Sequence, residues 1–269
     1  MNFLTLNSGF KIPLVGTGTN TFGKENHQFT DVINNTTEEI ENALYSGYTL
    51  VDTAIAYRNE AVVAMAIKKS GIDRSGLFLT SKIPAAVEFT QSDKQIEDAI
   101  TSSLKALSTD TIDLYLLHFP IEKDEDNARV WKVLERYAAT GILKSIGVSN
   151  FNIEQLSYLM DHSTIKPAVN QIQSHPGLWQ DELIDFCQTQ QVAVEAWGPI
   201  SKVSDEAKQK LSVIGEKYHK TWAQVILRYQ IERNVIVIPK SHDKERQQQN
   251  LAIFDFSLSV EDKAIIKTL

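Results

Sequence analysis

Apolar residues fall in short unbroken runs along this chain, and the stretches between them repeat at helical spacing. Leu50–Val51, Leu77–Phe78–Leu79, Leu114–Tyr115–Leu116–Leu117, Ala168–Val169, Val192–Ala193–Val194 and Val235–Ile236–Val237–Ile238 are continuous rather than alternating. Strands buried on both faces of a parallel sheet have that pattern. Leu14–Val15–Gly16 and the stretch from Ile142 to Val148 supply two more. Ahead of them, Phe3 to Leu6 and Phe10 to Ile12 flank Asn7–Ser8–Gly9 and read as a hairpin with glycine in its turn.

Helical spacing fills the gaps. Thr36-x-x-Glu39 has the form of a capping box opening a helix to about Ser46, with Gly47 as its stop. Residues 59–70 run to Gly71, and 93–107 place Ile96, Ile100, Leu104 and Leu107 on one face. Further helices are expected at 126–139, 153–161, 180–190, 205–218, 222–232 and, last, 243–252. Eight strands, each followed by helix, imply a parallel sheet. At this length they suggest an α/β fold of one domain spanning 1–269, a (β/α)8 TIM barrel with the N-terminal β-hairpin closing its bottom. A doubly wound open sheet is the runner-up.

Composition narrows the function classes. The net charge of −7, with no basic tract, argues against a nucleic-acid surface but leaves room for a local phosphate pocket. No run of about 18 apolar residues exists to span a membrane. Residues 1–5 lack the basic and apolar regions of a signal peptide, so a cytoplasmic location is expected. The single cysteine, Cys187, has no disulfide partner within the chain and falls in a helix as packing. His27, His162, His175, His219 and His242 show no short ligand spacing, so no metal is expected.

Candidate chemistry gathers at strand ends. Asp52, Lys82 and His118 each close one of the apolar runs, and Tyr57 follows Asp52 closely. In a TIM barrel the active site lies at the C-terminal ends of the strands. Asp52, Lys82, His118, Gln171, Trp197 and Lys240 should therefore face one pocket. Paired carboxylates for a hydrolase are not evident, since Glu195 lies inside its strand without an acidic mate.

At these positions the chain resembles the aldo-keto reductase family. The matching stretches are Asp52-Thr-Ala-Ile-Ala-Tyr57-Arg-Asn-Glu60, Thr80-Ser-Lys82, Leu116-Leu-His118-Phe-Pro120, Ile146-Gly-Val-Ser-Asn-Phe151, Asn170-Gln171, Ala196-Trp-Gly-Pro199 and Ile238-Pro-Lys-Ser241. Seven ordered matches cover nearly the whole chain. The resemblance implies a (β/α)8 barrel that reduces aldehydes and ketones with NADPH (NADP+). Consistently, Gly16-Thr-Gly18 lacks the third glycine and helix start of a Rossmann fingerprint.

Carried over residue by residue, the resemblance makes Tyr57 the general acid, with its pKa lowered by Lys82, which Asp52 holds by a charge-assisted hydrogen bond. His118 donates to the substrate oxygen. Ser149, Asn150 and Gln171 bind the carboxamide, and Trp197, where relatives often have Tyr, stacks on the nicotinamide. Gly198, Pro199 and Ile200 continue that wall, and Gly18, Thr19 and Asn20 line the floor. Lys240, Ser241 and Arg246 hold the 2′-phosphate, and Gln249 and Asn250 hold the adenine, with Gln249 standing where many relatives carry Glu. Phe22, Tyr57, His118 and Phe119 are expected to face the substrate.

Departures from the family cluster on the pocket walls. Asn20–Thr21–Phe22 stands where many members have Trp near position 20, and Phe119 stands where many have Trp after the histidine. The loop after Pro199 is short, and no long tail follows the last expected helix. An open, permissive pocket for a small carbonyl is expected, in a monomer or weak dimer. The competing reading is a nucleotide-binding sensor or regulatory barrel without physiological turnover.

Overall fold

The computed structural model describes residues 2–269. Two short strands, β1 (Phe3–Thr5) and β2 (Lys11–Pro13), pair antiparallel with Leu4 opposite Ile12. The other eight are β3 (Gly16–Gly18), β4 (Leu50–Asp52), β5 (Phe78–Ile83), β6 (Leu114–Leu117), β7 (Ile146–Ser149), β8 (Val169–Gln173), β9 (Ala193–Trp197) and β10 (Val235–Ile238). They lie in sequence order in one parallel sheet. A parallel bridge between Val15 and Val237 brings its two edges together, with Val237 N–H donating to Leu14 O at 3.0 Å. The open doubly wound alternative is thereby excluded.

Helices cover the outside: α1 (Glu38–Ser46), α2 (Glu60–Ser70), α3 (Val87–Thr90), α4 (Asp93–Ala106), α5 (Asp124–Ala139), α6 (Ile153–Asp161), α7 (Asp181–Thr189), α8 (Asp205–Glu216), α9 (Trp222–Glu232), α10 (Lys244–Leu251) and α11 (Val260–Lys267). No described helix is long and apolar enough to cross a membrane. The large core lies between strands and helices, with Trp131, Phe151 and Leu134 fully buried in it. A second cluster of Leu6, Ile12, Leu50, Phe78, Leu114, Ala168 and Ile236 fills the barrel's lower interior. The β1–β2 hairpin closes that end: Asn7 Nδ2 donates to Pro167 O at 2.9 Å, just before β8. Gly147 is required in β7, because a Cβ there would meet Val169 O at 2.6 Å.

Local expectations fail at two ends of the chain. Helix α1 begins at Glu38, and Glu39 does not close a capping box. Its Oε2 accepts from Gly23 N–H at 2.9 Å instead, so a tertiary partner outbid the local one. Helix α11 has no counterpart among the expected helices, the last of which spans 243–252. Only Ile266 of that helix is a fully buried apolar residue, so its periodicity is weak. Its anchor is polar: Asp262 accepts from Lys217 Nζ at 2.5 Å and from Tyr218 Oη at 2.7 Å.

Candidate active site

Two of the proposed catalytic groups, Asp52 and Lys82, meet because neighbouring strands place them at adjacent heights. Asp52 ends β4, and Lys82 lies in β5, two residues past Thr80, the partner of Asp52. Lys82 is therefore inside its strand rather than closing it, and is fully buried. Its Nζ donates to Asp52 Oδ1 and Oδ2 at 2.6 and 2.7 Å and to Thr53 O at 2.9 Å, and reaches Tyr57 Oη at 3.3 Å. Tyr57 ends a short 3-10 turn, Ile55–Tyr57, that brings its hydroxyl back over the ammonium. Asn59, fully buried, holds this turn to the β3 loop by donating to Thr19 O at 2.7 Å and Phe22 O at 3.1 Å.

Charge inside this group is set by burial. Desolvation would lower the Lys82 pKa, but Asp52 together with Tyr57 and Glu195 outweighs it and holds the ammonium above its usual value. Tyr57 departs from expectation: burial of its hydroxyl raises its pKa, and the opposing pull of Lys82 does not overcome that. Its phenol is thus a firmly held proton, and Lys82 eases its loss rather than drawing it off. His118 is pushed down to about 3 by burial and by the Lys82 charge, so its imidazole is neutral at physiological pH. The Tyr57 and His118 rings meet edge to face, 5.6 Å between centroids.

Beneath them lies a second carboxyl. Gln171 Nε2 donates to Asp52 Oδ2 at 2.8 Å and to Glu195 Oε2 at 2.6 Å, fixing which way the amide points. Glu195 is fully buried and its pKa is raised to about 8, first by desolvation and then by the Asp52 charge. It therefore does have an acidic neighbour, across the barrel from its own strand. It does not line the cavity, and Asp52 is neutralised by Lys82, so the two do not form a hydrolase pair.

These groups open into a cavity of about 1310 Å3, beyond the roughly 300–1,000 Å3 of most small-ligand pockets. Gly18, Thr19, Asn20, Asp52, Tyr57, His118, Phe119, Ser149, Asn150, Gln171, Trp197, Gly198, Pro199, Ile200, Lys240, Ser241, Arg246, Gln249 and Asn250 all line it. The structure thus brings together nearly every residue expected there. On the β7 side, Asn152 and Gln155 cap α6 reciprocally and hold the preceding Ser149–Asn150 turn at the mouth. Trp197 Nε1 donates to Asn150 Oδ1 at 2.9 Å, and Asn150 Nδ2 to His118 O at 3.2 Å, which locks the indole plane. At the far end, half-buried Lys240 donates to Thr21 Oγ1 at 2.6 Å. Among the described residues it has no carboxylate within ion-pair distance, and neither does Arg246. A half-buried ammonium with no direct ion pair, on the same cavity wall as an unpaired guanidinium, suits an anionic group such as a phosphate.

One expected wall residue is misplaced. Phe22 is fully buried in the main core and does not line the cavity. Its place is taken by Phe29, whose ring stands edge-on to Tyr57 at 6.1 Å. The Phe29 carbonyl accepts from Lys24 Nζ at 2.5 Å and Arg58 Nη2 at 2.9 Å, which folds the loop inward. An isolated aromatic in a polar loop, with cations at Lys24 and Arg58, was the signal available for it. Ala56, Pro84, Ser201 and Trp222 also line the cavity and carry no motif that marks them.

The sequence matches the profile of the Aldo/keto reductase family over residues 14–269. It is 39% identical over 268 residues to glyoxal reductase of Bacillus subtilis, covering 98% of this chain and 91% of that protein. The fold superposes on a crystal structure of an aldo/keto reductase from Brucella melitensis with a TM-score of 0.89, 37% identity and 98% of each chain covered. An aldo-keto reductase of Bombyx mori, solved in complex with NADP, gives 0.86 at 34% identity, covering 98% of this chain and 91% of that one. The chain belongs to the aldo/keto reductase family, and is an oxidoreductase that reduces carbonyl groups with a nicotinamide cofactor.

Proposed function

We propose that the protein reduces a small aldehyde with NADPH, that Tyr57 is the proton donor, and that α-oxoaldehydes of the glyoxal type are its substrate class. The observation that carries this is the Lys82 ammonium, bonded to Asp52 on one side and within 3.3 Å of Tyr57 Oη on the other. The substrate class rests on likeness to the Bacillus glyoxal reductase.

The bound nicotinamide supplies the hydride. Hydride arrival leaves an alkoxide whose conjugate acid is about as weak as water, pKa about 15.7. Burial holds the Tyr57 phenol above its ordinary value, but the proton passes to an alkoxide, which is a far stronger base than a phenolate. Lys82 stabilises the phenolate left behind, and Asp52 keeps Lys82 charged and in place. Neutral His118 donates an N–H to the carbonyl oxygen and holds it near Tyr57 Oη. Phe29 and Phe119 shield the reacting centre.

Gln171 spends its N–H groups on Asp52 and Glu195, so its Oε1 is the atom left to accept from the cofactor carboxamide. Ser149 and Asn150 flank that group, and Trp197 offers the stacking face. Lys240, Ser241 and Arg246 hold the 2′-phosphate, the basis for NADPH over NADH. Gln249 and Asn250 take the adenine, and the 18–20 and 198–200 segments line the length between. Since one chain supplies residues 18 to 250 of this site, we treat it as a single domain active as a monomer. Its only cysteine is buried, in keeping with a cytoplasmic enzyme.

The test is NADPH oxidation with glyoxal, methylglyoxal and longer aldehydes, run beside Tyr57→Phe. The variant should lose about 10²- to 10⁴-fold in kcat while still binding NADPH. Unchanged turnover in Tyr57→Phe would remove the acid assignment. Tight NADPH binding without turnover of any carbonyl would favour a nucleotide sensor.

A further inference from the structure

The loop after β3 and the loop after β10 meet beside the Lys240 end of the cavity, and three side chains with ligand atoms converge there. His27 comes from the first loop, His242 from the second, and Glu39 from the first turn of α1. One nitrogen of each imidazole and one carboxylate oxygen lie within 4.8 Å of one another. Because 203 residues separate Glu39 from His242, no short motif announces the cluster.

His27 Nε2 stands 3.3 Å from Glu39 Oε1, and His242 Nδ1 hydrogen-bonds the same oxygen. The two imidazoles stack, with centroids 3.9 Å apart and planes 8° from parallel. Both rings thus present a nitrogen to a single carboxylate oxygen. The inner ligands also have outer partners. Glu39 is buried, with Oε2 fixed by Gly23 N–H at 2.9 Å. His242 Nε2 lies 2.9 Å from Thr21 Oγ1, which is itself held by Lys240 Nζ at 2.6 Å. Such partners orient metal ligands and set the imidazole tautomer.

We propose that His27 Nε2, His242 Nδ1 and Glu39 Oε1 form a binding site for a divalent transition-metal ion, with Zn2+ the best match. Two imidazoles and a carboxylate suit zinc, whereas Mg2+ and Ca2+ take oxygen ligands. With bonds of about 2.0–2.1 Å to a tetrahedral ion, donor atoms stand roughly 3.4 Å apart. The His27–Glu39 pair already has that spacing, and the His27 side chain, 53% exposed, is free to tilt its nitrogen toward the ion. The ion takes the place of the hydrogen bond between His242 Nδ1 and Glu39, and the single imidazole proton resides on Nε2, which donates to Thr21 Oγ1. Solvent completes the fourth position. Occupancy clamps the loop carrying Asn20 and Phe29 to the loop carrying Lys240 and Ser241, tying together two walls of the cavity.

Zn2+ is titrated into the purified chain in competition with a chromogenic chelator, for wild type, His27→Ala, His242→Ala and the remote control His162→Ala. Wild type and His162→Ala should hold one equivalent at least tenfold more tightly than His27→Ala or His242→Ala. Replacement by Co2+ should give the absorbance of a tetrahedral ion in wild type alone of the first three. His27 is exposed, so its variant keeps the fold, checked by its melting temperature. Wild-type affinity in His27→Ala, or no tighter zinc in wild type than in that variant, overturns the site.

Discussion

Replacing Lys82 by Met separates what the buried ion pair does for the fold from what it does for catalysis. Asp52 and Lys82 are both essentially inaccessible to solvent. The substitution removes two contacts of 2.6 and 2.7 Å and leaves the Asp52 carboxylate with the Gln171 amide as its remaining side-chain partner. Breaking a buried pair from one side costs about 3–5 kcal/mol, mostly from the uncompensated charge. For a domain of this size that is a fall in Tm of roughly 10 °C. Adding Asp52→Asn to Lys82→Met removes the stranded charge, so the double variant should regain half or more of the lost stability. It should regain no activity, because Tyr57 still lacks its ammonium. Thermal melts followed by circular dichroism, with kcat/KM for NADPH-dependent aldehyde reduction, read both effects. A Lys82→Met protein melting within a degree or two of wild type would refute the energetic argument. A double variant that recovers turnover with stability would refute the catalytic one.

Other outcomes follow from the same geometry. Arg246→Ala should raise KM for NADPH well above any change in KM for NADH, and equal effects on both would remove the 2′-phosphate assignment. Glu195 has a folded pKa raised to about 8 against about 4.3 unfolded. Its contribution to stability is therefore full below about pH 4.3 and is lost as pH rises through 8. Glu195→Gln should gain stability relative to wild type between pH 5 and 8, and a constant gap in urea titrations across that range would count against it. His118 is held neutral down to about pH 3, whereas the unfolded chain takes up its proton near 6.5. Wild type should lose stability as pH falls from 6.5 toward 4, and His118→Gln should flatten that slope; an unchanged slope would show that other groups control acid unfolding.

The barrel was legible because its strands are continuous apolar runs and its helices keep one apolar face. Both are short-range periodicities that a linear sequence displays. The catalytic order of Asp52, Tyr57, Lys82 and His118 was legible for the same reason, each residue sitting at a recognisable place relative to a run. Phe22 shows the limit. It and Phe29 are both aromatic residues of one loop, and nothing local says which turns inward. The choice is made by Lys24 and Arg58 gripping the Phe29 carbonyl while Phe22 sinks into the core.

What the chain's own sequence determined, then, is the succession of elements and the chemical identity of the groups at their ends. Tertiary structure alone decided which groups touch. Lys82 became an internal strand residue because the β4–β5 register sets it beyond Asp52. Glu195 met Asp52 through Gln171 because a closed barrel brings β4, β8 and β9 to face one another across its interior. Glu39 left its expected cap for Gly23, His27 and His242 because barrel closure carries the β10 loop to the β3 loop. Contacts between residues a hundred or more positions apart depend on closure and register, which a local pattern does not encode.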